Sequence, residues 1–308
     1  MIQVRDLRVD YDDVCAVQDL TLEVPPGEIF GLIGPNGAGK TTTLRAMVGL
    51  IEPTYGEVLL NGVDVSTHRA QAVANVGFMP DFSPLYDDLT VYEFLDLFAA
   101  SYHMPPAERK PAIEKHLAQV ELTEKRDAMT NGLSRGMKQR LMLAKTLLPN
   151  PKIVLLDEPA SGVDPHARIL LKNILKQQRA EGKTVIISSH ILSELSEFCT
   201  SIGVMERGRM VISGRVEDVA SRVFSESRYA VEVIDGATAC LATLTADERV
   251  SAVAQDGNGF RFAFAGDDRA ASELLAALLT AGARVIQFGR NQETLEELFL
   301  QIGAKEVA

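Results

Sequence analysis

Residues 34–41 are the part of the sequence best suited to chemistry, because they fit the phosphate-binding pattern G-x-x-x-x-G-K-[ST]. The glycines allow a tight bend in which backbone N–H groups converge on phosphate oxygens, and a helix that starts near Gly39 adds its positive end. Lys40 is expected to reach the β and γ phosphates, and the Thr41 hydroxyl to ligate Mg²⁺. The expected nucleotide-binding residues of this segment are Gly34, Asn36, Gly37, Ala38, Gly39, Lys40, Thr41 and, as the weaker candidate, Thr42.

Two acids, Asp157 and Glu158, follow the apolar run Ile153–Leu156. A buried strand with this ending delivers its carboxylates to the carboxyl edge of a parallel sheet, where α/β proteins bind ligands. Asp157 is expected to hold Mg²⁺, and Glu158 to take a proton from the attacking water. Taken alone, acids after a strand are as often simple loop or helix-cap residues, and the phosphate-binding loop decides between the two interpretations.

The length and composition predict a folded protein of two domains, or of one large domain with an appendage. The chain has 308 residues, 46% of them hydrophobic, and a formal net charge of -11. That charge argues against broad nucleic-acid binding, which needs clustered Lys and Arg. The cysteines at 15, 199 and 240 lack metal-ligand spacing and fit a reducing compartment. No apolar run is long enough to span a bilayer, so we expect that any function of this chain at a membrane depends on a partner protein.

Short strands and helices alternate in an order that places these motifs. Beginning with residues 2–7, β-rich runs precede the loop, and a helix follows it. Apolar residues recur at helical spacing between Thr90 and Asn150, which predicts a helical subdomain. The remaining predicted elements are strands at 153–156 and 185–188 with a helix at 165–179 between them, a hairpin over 202–212, then a strand at 230–234, a hairpin ending at 260–264, a helix at 269–281, a strand at 284–288 and a helix at 294–302.

Residues 133–140, Leu-Ser-Arg-Gly-Met-Lys-Gln-Arg, resemble the signature motif of ABC ATPases. The motif stands some twenty residues before the Asp157–Glu158 strand, as it does in that family. The resemblance implies that Ser134 and Gly136 contact the γ-phosphate of ATP held by the other subunit of a dimer. As an N-cap of the following helix, Ser134 also has a purely structural interpretation, and both can hold.

Further matches to the ABC family run across residues 1 to about 215. Tyr11 resembles the aromatic residue that stacks on adenine, residues 161–164 resemble the loop that joins the two ATP sites, and His190 resembles the histidine that contacts the γ-phosphate or orients the water. Two departures are present: Arg135 stands where the family has glycine, and Asp81 stands where it generally has glutamine. By resemblance Asp81 still contacts Mg²⁺ or water, and Arg135 either points away from the phosphate or adds charge to it.

The resemblance implies a fold, a mechanism and a partner. The fold class is α/β, a P-loop NTPase core of ABC type over residues 1–215, with a mainly parallel sheet, an antiparallel β subdomain and a helical subdomain at about 85–150. A linker at 216–227 and a small α+β domain at 228–308 follow, similar to the tail of exporter motors. The implied ligands are ATP and Mg²⁺, and the implied partners are a second copy in an ATP-sandwich dimer and an ABC-2-type transmembrane permease. Phe82, Leu85 and Tyr86 are the candidate permease contacts.

The resemblance also implies a cytoplasmic location, peripheral on the inner face of the cell membrane. A soluble ABC-type ATPase that acts on ribosomes or DNA is the alternative. It is disfavoured because the chain has neither two motors nor a long inserted coiled coil, and because its balance of charge is acidic. A binding-only protein with a dead site is disfavoured because Lys40, Asp157, Glu158 and His190 are all present.

Overall fold

The computed structural model describes residues 1–81, 85–191, 195, 197–223 and 227–290. Its strands are β1 (Ile2–Tyr11), β2 (Val14–Val24), β3 (Ile29–Ile33), β4 (Tyr55–Leu60), β5 (Val63–Asp64), β6 (Val76–Met79), β7 (Ile153–Leu156), β8 (Thr184–Ser189), β9 (Ser201–Glu206), β10 (Arg209–Arg215), β11 (Ser227–Asp235), β12 (Val250–Asp256), β13 (Gly259–Phe264) and β14 (Arg284–Arg290). Its helices are α1 (Lys40–Met47), α2 (Arg69–Val73), α3 (Val91–Ser101), α4 (Pro106–Gln119), α5 (Arg135–Leu147), α6 (Pro165–Ala180), α7 (Val216–Val223), α8 (Ala237–Ala246) and α9 (Asp268–Thr280).

The chain divides into two compact units, residues 1–216 and 217–308. In the described part of the first unit, a six-stranded sheet has the order β10-β9-β3-β8-β7-β6, and all of its strands are parallel except β10. Strands β3, β7 and β8 are buried along their whole length, as expected for strands that are covered on both faces. A second sheet, β2-β1-β4-β5, is antiparallel. The α/β fold class predicted from the sequence is confirmed.

The core of the first unit lies where the antiparallel sheet packs against α1 and the central sheet. Leu22 and Val58 of the antiparallel sheet, Leu44 and Met47 of α1, and Phe30 of β3 belong to one buried cluster. This packing fixes the start of α1 against the end of β3, and the loop between them carries the phosphate-binding pattern.

Helices α3, α4 and α5 form the helical region that the apolar spacing predicts. Thr90 and Glu93 cap α3 reciprocally: Glu93 N donates to Thr90 Oγ1 at 3.2 Å, and Thr90 N donates to Glu93 Oε2 at 2.8 Å. Ser134 caps α5 by accepting a hydrogen bond from Met137 N at 3.3 Å. Strands β4 to β6 and helix α2, which connect α1 to this region, were not predicted from the sequence.

After α7, the described part of the second unit has the order β-α-β-β-α-β, with its sheet arranged β12-β13-β11-β14 and all neighbouring strands antiparallel. Phe260, Phe262 and Phe264 alternate along β13 and are all buried, facing Tyr229 and Val231 of β11. Helix α8 was not predicted. The sequence Ala237–Ala246 has no charged residue that would mark an exposed face, so its helical period is weak. The predicted helix at 294–302 lies outside the described residues.

No helix in the described ranges is both long and apolar enough to cross a membrane.

Candidate functional site

The loop from Gly34 to Gly39 is shaped by contacts that exclude larger residues. A Cβ at Gly34 would lie 2.3 Å from the Met205 carbonyl oxygen, and a Cβ at Gly39 would lie 2.5 Å from that of Ala16. Gly39 also has a φ of 98°. Gly37, with a φ of 83°, has no atom within 4 Å of a Cβ position, so only its backbone conformation favours glycine. Neighbouring strands therefore hold the loop in place at both of its ends.

Lys40, the first residue of α1, is buried and turns its ammonium back toward the loop. Its Nζ donates to the carbonyl oxygens of Gly34 at 2.6 Å and Pro35 at 3.1 Å. It also lies 3.3 Å from Glu158 Oε1, an ion pair whose geometry does not make a hydrogen bond. The ammonium thus connects the loop to the acids of β7.

Asp157 is fully buried at the end of β7 and joins three elements. Its Oδ1 accepts hydrogen bonds from Thr41 Oγ1 at 3.1 Å and from Ser188 Oγ at 2.7 Å. The hydroxyl of Ser188 in turn accepts one from Glu158 N at 3.0 Å. Ser188 was not identified from the sequence, although two serines at the end of the otherwise apolar run 185–189 were a visible signal. Thr42 makes no side-chain hydrogen bond to any residue that the structure describes.

Glu158 has a φ of 48°, which is rare for a residue with a side chain. Such strain persists only where surrounding contacts hold it, and it concentrates at functional sites. Here the contacts are the hydrogen bond from Glu158 N to Ser188 and the His190 Nδ1, which lies 2.8 Å from Glu158 Oε2. Glu158 Oε1 is buried and accepts no hydrogen bond from the described residues. The carboxylate is therefore oriented through Oε2 by His190, while its Oε1 faces the Lys40 ammonium at 3.3 Å.

The donor set at Asp157 fits a magnesium ion. Asp157 Oδ2 is buried and has no hydrogen-bond partner among the described residues. The other oxygen of this carboxylate, Oδ1, accepts a hydrogen bond from the Thr41 hydroxyl. Within the described ranges, no group of three or more His, Cys, Asp and Glu side chains is arranged to hold a metal by itself. Magnesium prefers few protein oxygens and completes its shell with water and substrate phosphates, so a sparse donor set is what it requires.

Asp81 follows β6, which is the neighbour of β7 in the sheet. Loss of water raises the pKa of its carboxyl, and the charges of Asp157 and Glu158 raise this pKa further. The neighbouring Arg135 and His190 lower the same pKa. Asp81 therefore lies in the electric field of the acids at the sheet edge, and Arg135 of α5 lies within reach of that field.

Among the described residues, Ser134, Gly136 and Tyr11 form no hydrogen bond or ion pair with Lys40, Asp157, Glu158 or His190. Ser134 and Gly136 stand at the exposed start of α5, and no hydrogen bond or ion pair joins them to residues 34–42 in the part of the chain that the structure describes. Tyr11 ends β1 with 44% of its surface exposed. A single subunit brings together the P-loop, Asp157, Glu158 and His190, but not the signature residues.

Of the candidate permease contacts, Tyr86 is 56% exposed and Leu85 is partly buried. The Tyr86 ring centroid lies 6.4 Å from that of Phe94 in α3, so this tyrosine packs partly on its own subdomain. Phe82 lies outside the described residues.

Comparisons with known proteins agree with this geometry. The ABC transporter family matches residues 17–161, and the C-terminal domain family of DrrA1-3-like ATP-binding proteins matches residues 214–302. A Nod factor export ATP-binding protein I from Cupriavidus pinatubonensis is 32% identical over 308 residues, covering 100% of this chain and 92% of the relative. Its counterpart from Cupriavidus metallidurans is 37% identical over 219 residues, 71% of this chain and 72% of the relative.

Solved structures point the same way. An ATP-binding subunit of an ABC transporter superposes with a TM-score of 0.67 at 32% identity, covering 73% of this chain and 93% of that one. A dimeric bacterial ABC transporter cassette superposes with a TM-score of 0.65 at 25% identity, covering 70% and 99%. The buried Lys40, the Asp157–Glu158 pair and these relatives lead to one conclusion: the chain belongs to the ATP-binding, ATP-hydrolysing subunits of ABC transporters.

Proposed function

We propose that two copies of this chain close head to tail over two Mg-ATP molecules and drive export through a separate transmembrane permease. Each site combines residues of one copy with the start of α5 of the other. The first copy provides Tyr11, Gly34, Asn36, Gly37, Ala38, Gly39, Lys40, Thr41, Thr42, Asp81, Asp157, Glu158 and His190, and the second provides Ser134 and Gly136.

The observation that carries this proposal is the contact network at the carboxyl edge of the central sheet. Lys40, Glu158 and His190 form one chain of contacts at 3.3 and 2.8 Å, and Thr41 and Asp157 are joined at 3.1 Å. The exposed start of α5, in contrast, presents a capped helix N-terminus that has no phosphate-binding loop bonded to it. A helix N-terminus attracts anions, so a phosphate from a second subunit is a suitable ligand for it.

In the proposed mechanism, Lys40 exchanges the Gly34 and Pro35 carbonyls for the β and γ phosphates of ATP. Thr41, Asp157 and, at the edge of the site, Asp81 would hold Mg²⁺, which would supply positive charge to neutralise the phosphates. Glu158, oriented by His190, takes a proton from the water that attacks the γ-phosphorus. Release of this phosphate removes the ligand that bridges the two copies, so they separate.

Export and the ABC-2 type of permease are inferred from likeness. The Cupriavidus relatives are named for Nod factor export, and the second family match lies in an exporter-like tail. A permease of this kind would place the chain on the inner face of the cell membrane. Tyr86 and Leu85 are the described residues that we assign to this contact.

The decisive test is Glu158→Gln, which keeps the shape of the side chain and removes its basicity. We expect ATP turnover to fall by about 10²- to 10⁴-fold, the usual contribution of a general base. We also expect a dimer that persists in Mg-ATP, measured by size-exclusion chromatography with light scattering. Glu181→Gln is the control, because Glu181 pairs with Lys183 at 3.1 Å and accepts a hydrogen bond from Gln177 Nε2 at 3.1 Å, and neither partner belongs to the site. Undiminished turnover in the Glu158 variant would refute the assignment.

The permease is tested separately, by purifying the tagged chain from membranes and assaying ATP hydrolysis with and without the material that accompanies it. A multi-spanning protein that raises turnover supports the transporter. Ribosomes or DNA in its place, with no membrane protein, would support the alternative soluble ATPase.

A further inference from the structure

Arg135, the first residue of α5, lies directly over Gly162. The position of a Cβ on Gly162 is 2.7 Å from Cζ, 2.9 Å from Nη1 and 3.0 Å from Nε of Arg135. The guanidinium therefore occupies the space that a side chain at residue 162 would need. No hydrogen bond or ion pair to Arg135 occurs within the ranges that the structure describes, and its charge acts on the Asp81 carboxyl.

Gly162 belongs to a loop that is tied at one end to Glu158. Ser161 N donates to the Glu158 carbonyl oxygen at 3.1 Å, and the loop ends at Asp164, which caps α6 by accepting from Ala167 N at 3.0 Å. Movement of Gly162 is therefore coupled through one hydrogen bond to the strained backbone of Glu158.

The same loop approaches the start of α5 at a second point. A Cβ on Gly136 would lie 3.5 Å from Asp164 Oδ2, an ordinary contact distance. The first residues of α5 and residues 161–164 thus form one contact surface within a subunit. In this surface Arg135 makes the closest approach. A glycine at position 135 would have no side chain to pack on Gly162.

We propose that Arg135 is a positioning residue that couples the two ATP sites of the dimer. This inference rests on the sandwich arrangement proposed above. In that arrangement, Ser134 and Gly136 of one subunit contact the nucleotide at one site, while Glu158 of that subunit serves the other site. A phosphate that draws in the start of α5 moves Arg135, and the guanidinium carries this displacement to Gly162 and, through Ser161, to Glu158. The route is a contiguous chain of packed and hydrogen-bonded groups.

The arginine side chain suits this role better than a small one. Its planar guanidinium lies over Gly162 and stays charged at all working pH values. The contact requires a long side chain at position 135 and no side chain at position 162. A substitution at either position can therefore disrupt it.

The test measures ATP hydrolysis by the complex purified with its membrane partner, as a function of Mg-ATP concentration. Two coupled sites give the wild type a Hill coefficient between one and two. Arg135→Ala is expected to bring it toward one, and Arg135→Lys, which keeps the charge and most of the stem, to an intermediate value. Gly162→Ala is expected to reproduce the effect of Arg135→Ala, because the new methyl group displaces the guanidinium.

Gly182→Ala is the matched control for Gly162→Ala. Gly182 has a φ of 82° against 67° for Gly162, but no atom lies within 4 Å of its Cβ position. Alanine at position 162 or 182 strains the backbone in a similar way. Displacing the flexible end of Arg135 adds little to the cost at position 162, so we expect similar falls in the thermal midpoint for the two variants. Of these two variants, only Gly162→Ala is expected to lower the Hill coefficient. The double variant Arg135→Ala with Gly162→Ala is expected to have the same Hill coefficient as Arg135→Ala alone.

Three results would overturn the inference: a wild-type coefficient of one, an Arg135→Ala coefficient equal to that of a cooperative wild type, or a Gly182→Ala coefficient as low as that of Gly162→Ala. Failure of the sandwich itself looks different. In that case Glu158→Gln forms no dimer in Mg-ATP, whatever the residue at position 135.

Discussion

Replacing Ser188 by alanine removes a buried hydroxyl that holds both acids of the site. The hydroxyl donates to Asp157 Oδ1 at 2.7 Å and accepts from Glu158 N at 3.0 Å, and it is fully buried. A hydrogen bond to a charged group contributes about 1.5–3 kcal/mol net, and a neutral one about 0.5–1.5 kcal/mol. We therefore expect Ser188→Ala to lower the free energy of unfolding by about 2–4.5 kcal/mol.

The same substitution is expected to slow ATP hydrolysis. Without Ser188, Asp157 retains one side-chain hydrogen bond, from Thr41, and the strained backbone of Glu158 loses the bond on its N–H. Loss of a group that orients metal ligands typically costs 10- to 100-fold in metal affinity or activity, so we expect a fall of about this size at limiting Mg²⁺. Raising Mg²⁺ should recover part of it.

Ser189→Ala is the matched control, because Ser189 is the next residue of β8 and is also buried. Among the residues that the structure describes, its hydroxyl accepts one hydrogen bond, from Ile191 N at 3.0 Å, and is hydrogen-bonded to neither acid. Its removal should cost about 0.5–1.5 kcal/mol and leave turnover near that of the wild type. Urea unfolding followed by circular dichroism suits a chain without tryptophan. If Ser188→Ala is as mild as Ser189→Ala in both assays, the bridging role of Ser188 is wrong.

Two further outcomes are expected. Gly34→Ala should abolish nucleotide binding, measured by equilibrium dialysis, because its Cβ would lie 2.3 Å from the Met205 backbone, whereas Gly37→Ala has open space and should cost only about 1 kcal/mol of backbone strain. Equal binding by the two variants would contradict this account. The Asp64 carboxylate accepts from Ser66 N at 2.8 Å, and this hydrogen bond holds its pKa below the ordinary value of 3.8. A carboxyl whose pKa is lower in the folded than in the unfolded protein stabilises the fold at pH values above its unfolded-state pKa. This stabilisation is lost as the pH falls through its folded-state pKa, so Asp64→Asn should flatten the acid side of the stability curve below about pH 4. An unchanged acid limb would count against the hydrogen bond.

The sequence predicted well the elements whose signals are local. The run at residues 153–156 and the helix that begins near residue 165 follow directly from hydrophobic period and capping, and the structure places them at Ile153–Leu156 and Pro165–Ala180. Strands β4 to β6 and helix α8 were missed, because short elements with mixed or uniformly apolar surfaces carry little periodic signal. Tertiary packing decides such segments.

By itself, the sequence determined the chemistry that is available. Gly34 to Thr41 and the pair Asp157–Glu158 specify phosphate binding and metal-assisted hydrolysis, because the residue types and spacing restrict what the backbone and carboxylates can do. Only the tertiary structure decided which groups meet. Ser188 bridges the two acids and Arg135 rests on Gly162, contacts between segments that are 31 and 27 residues apart in the sequence. Such contacts depend on the order of strands in the sheet and on how α5 packs, which no local pattern of residues specifies.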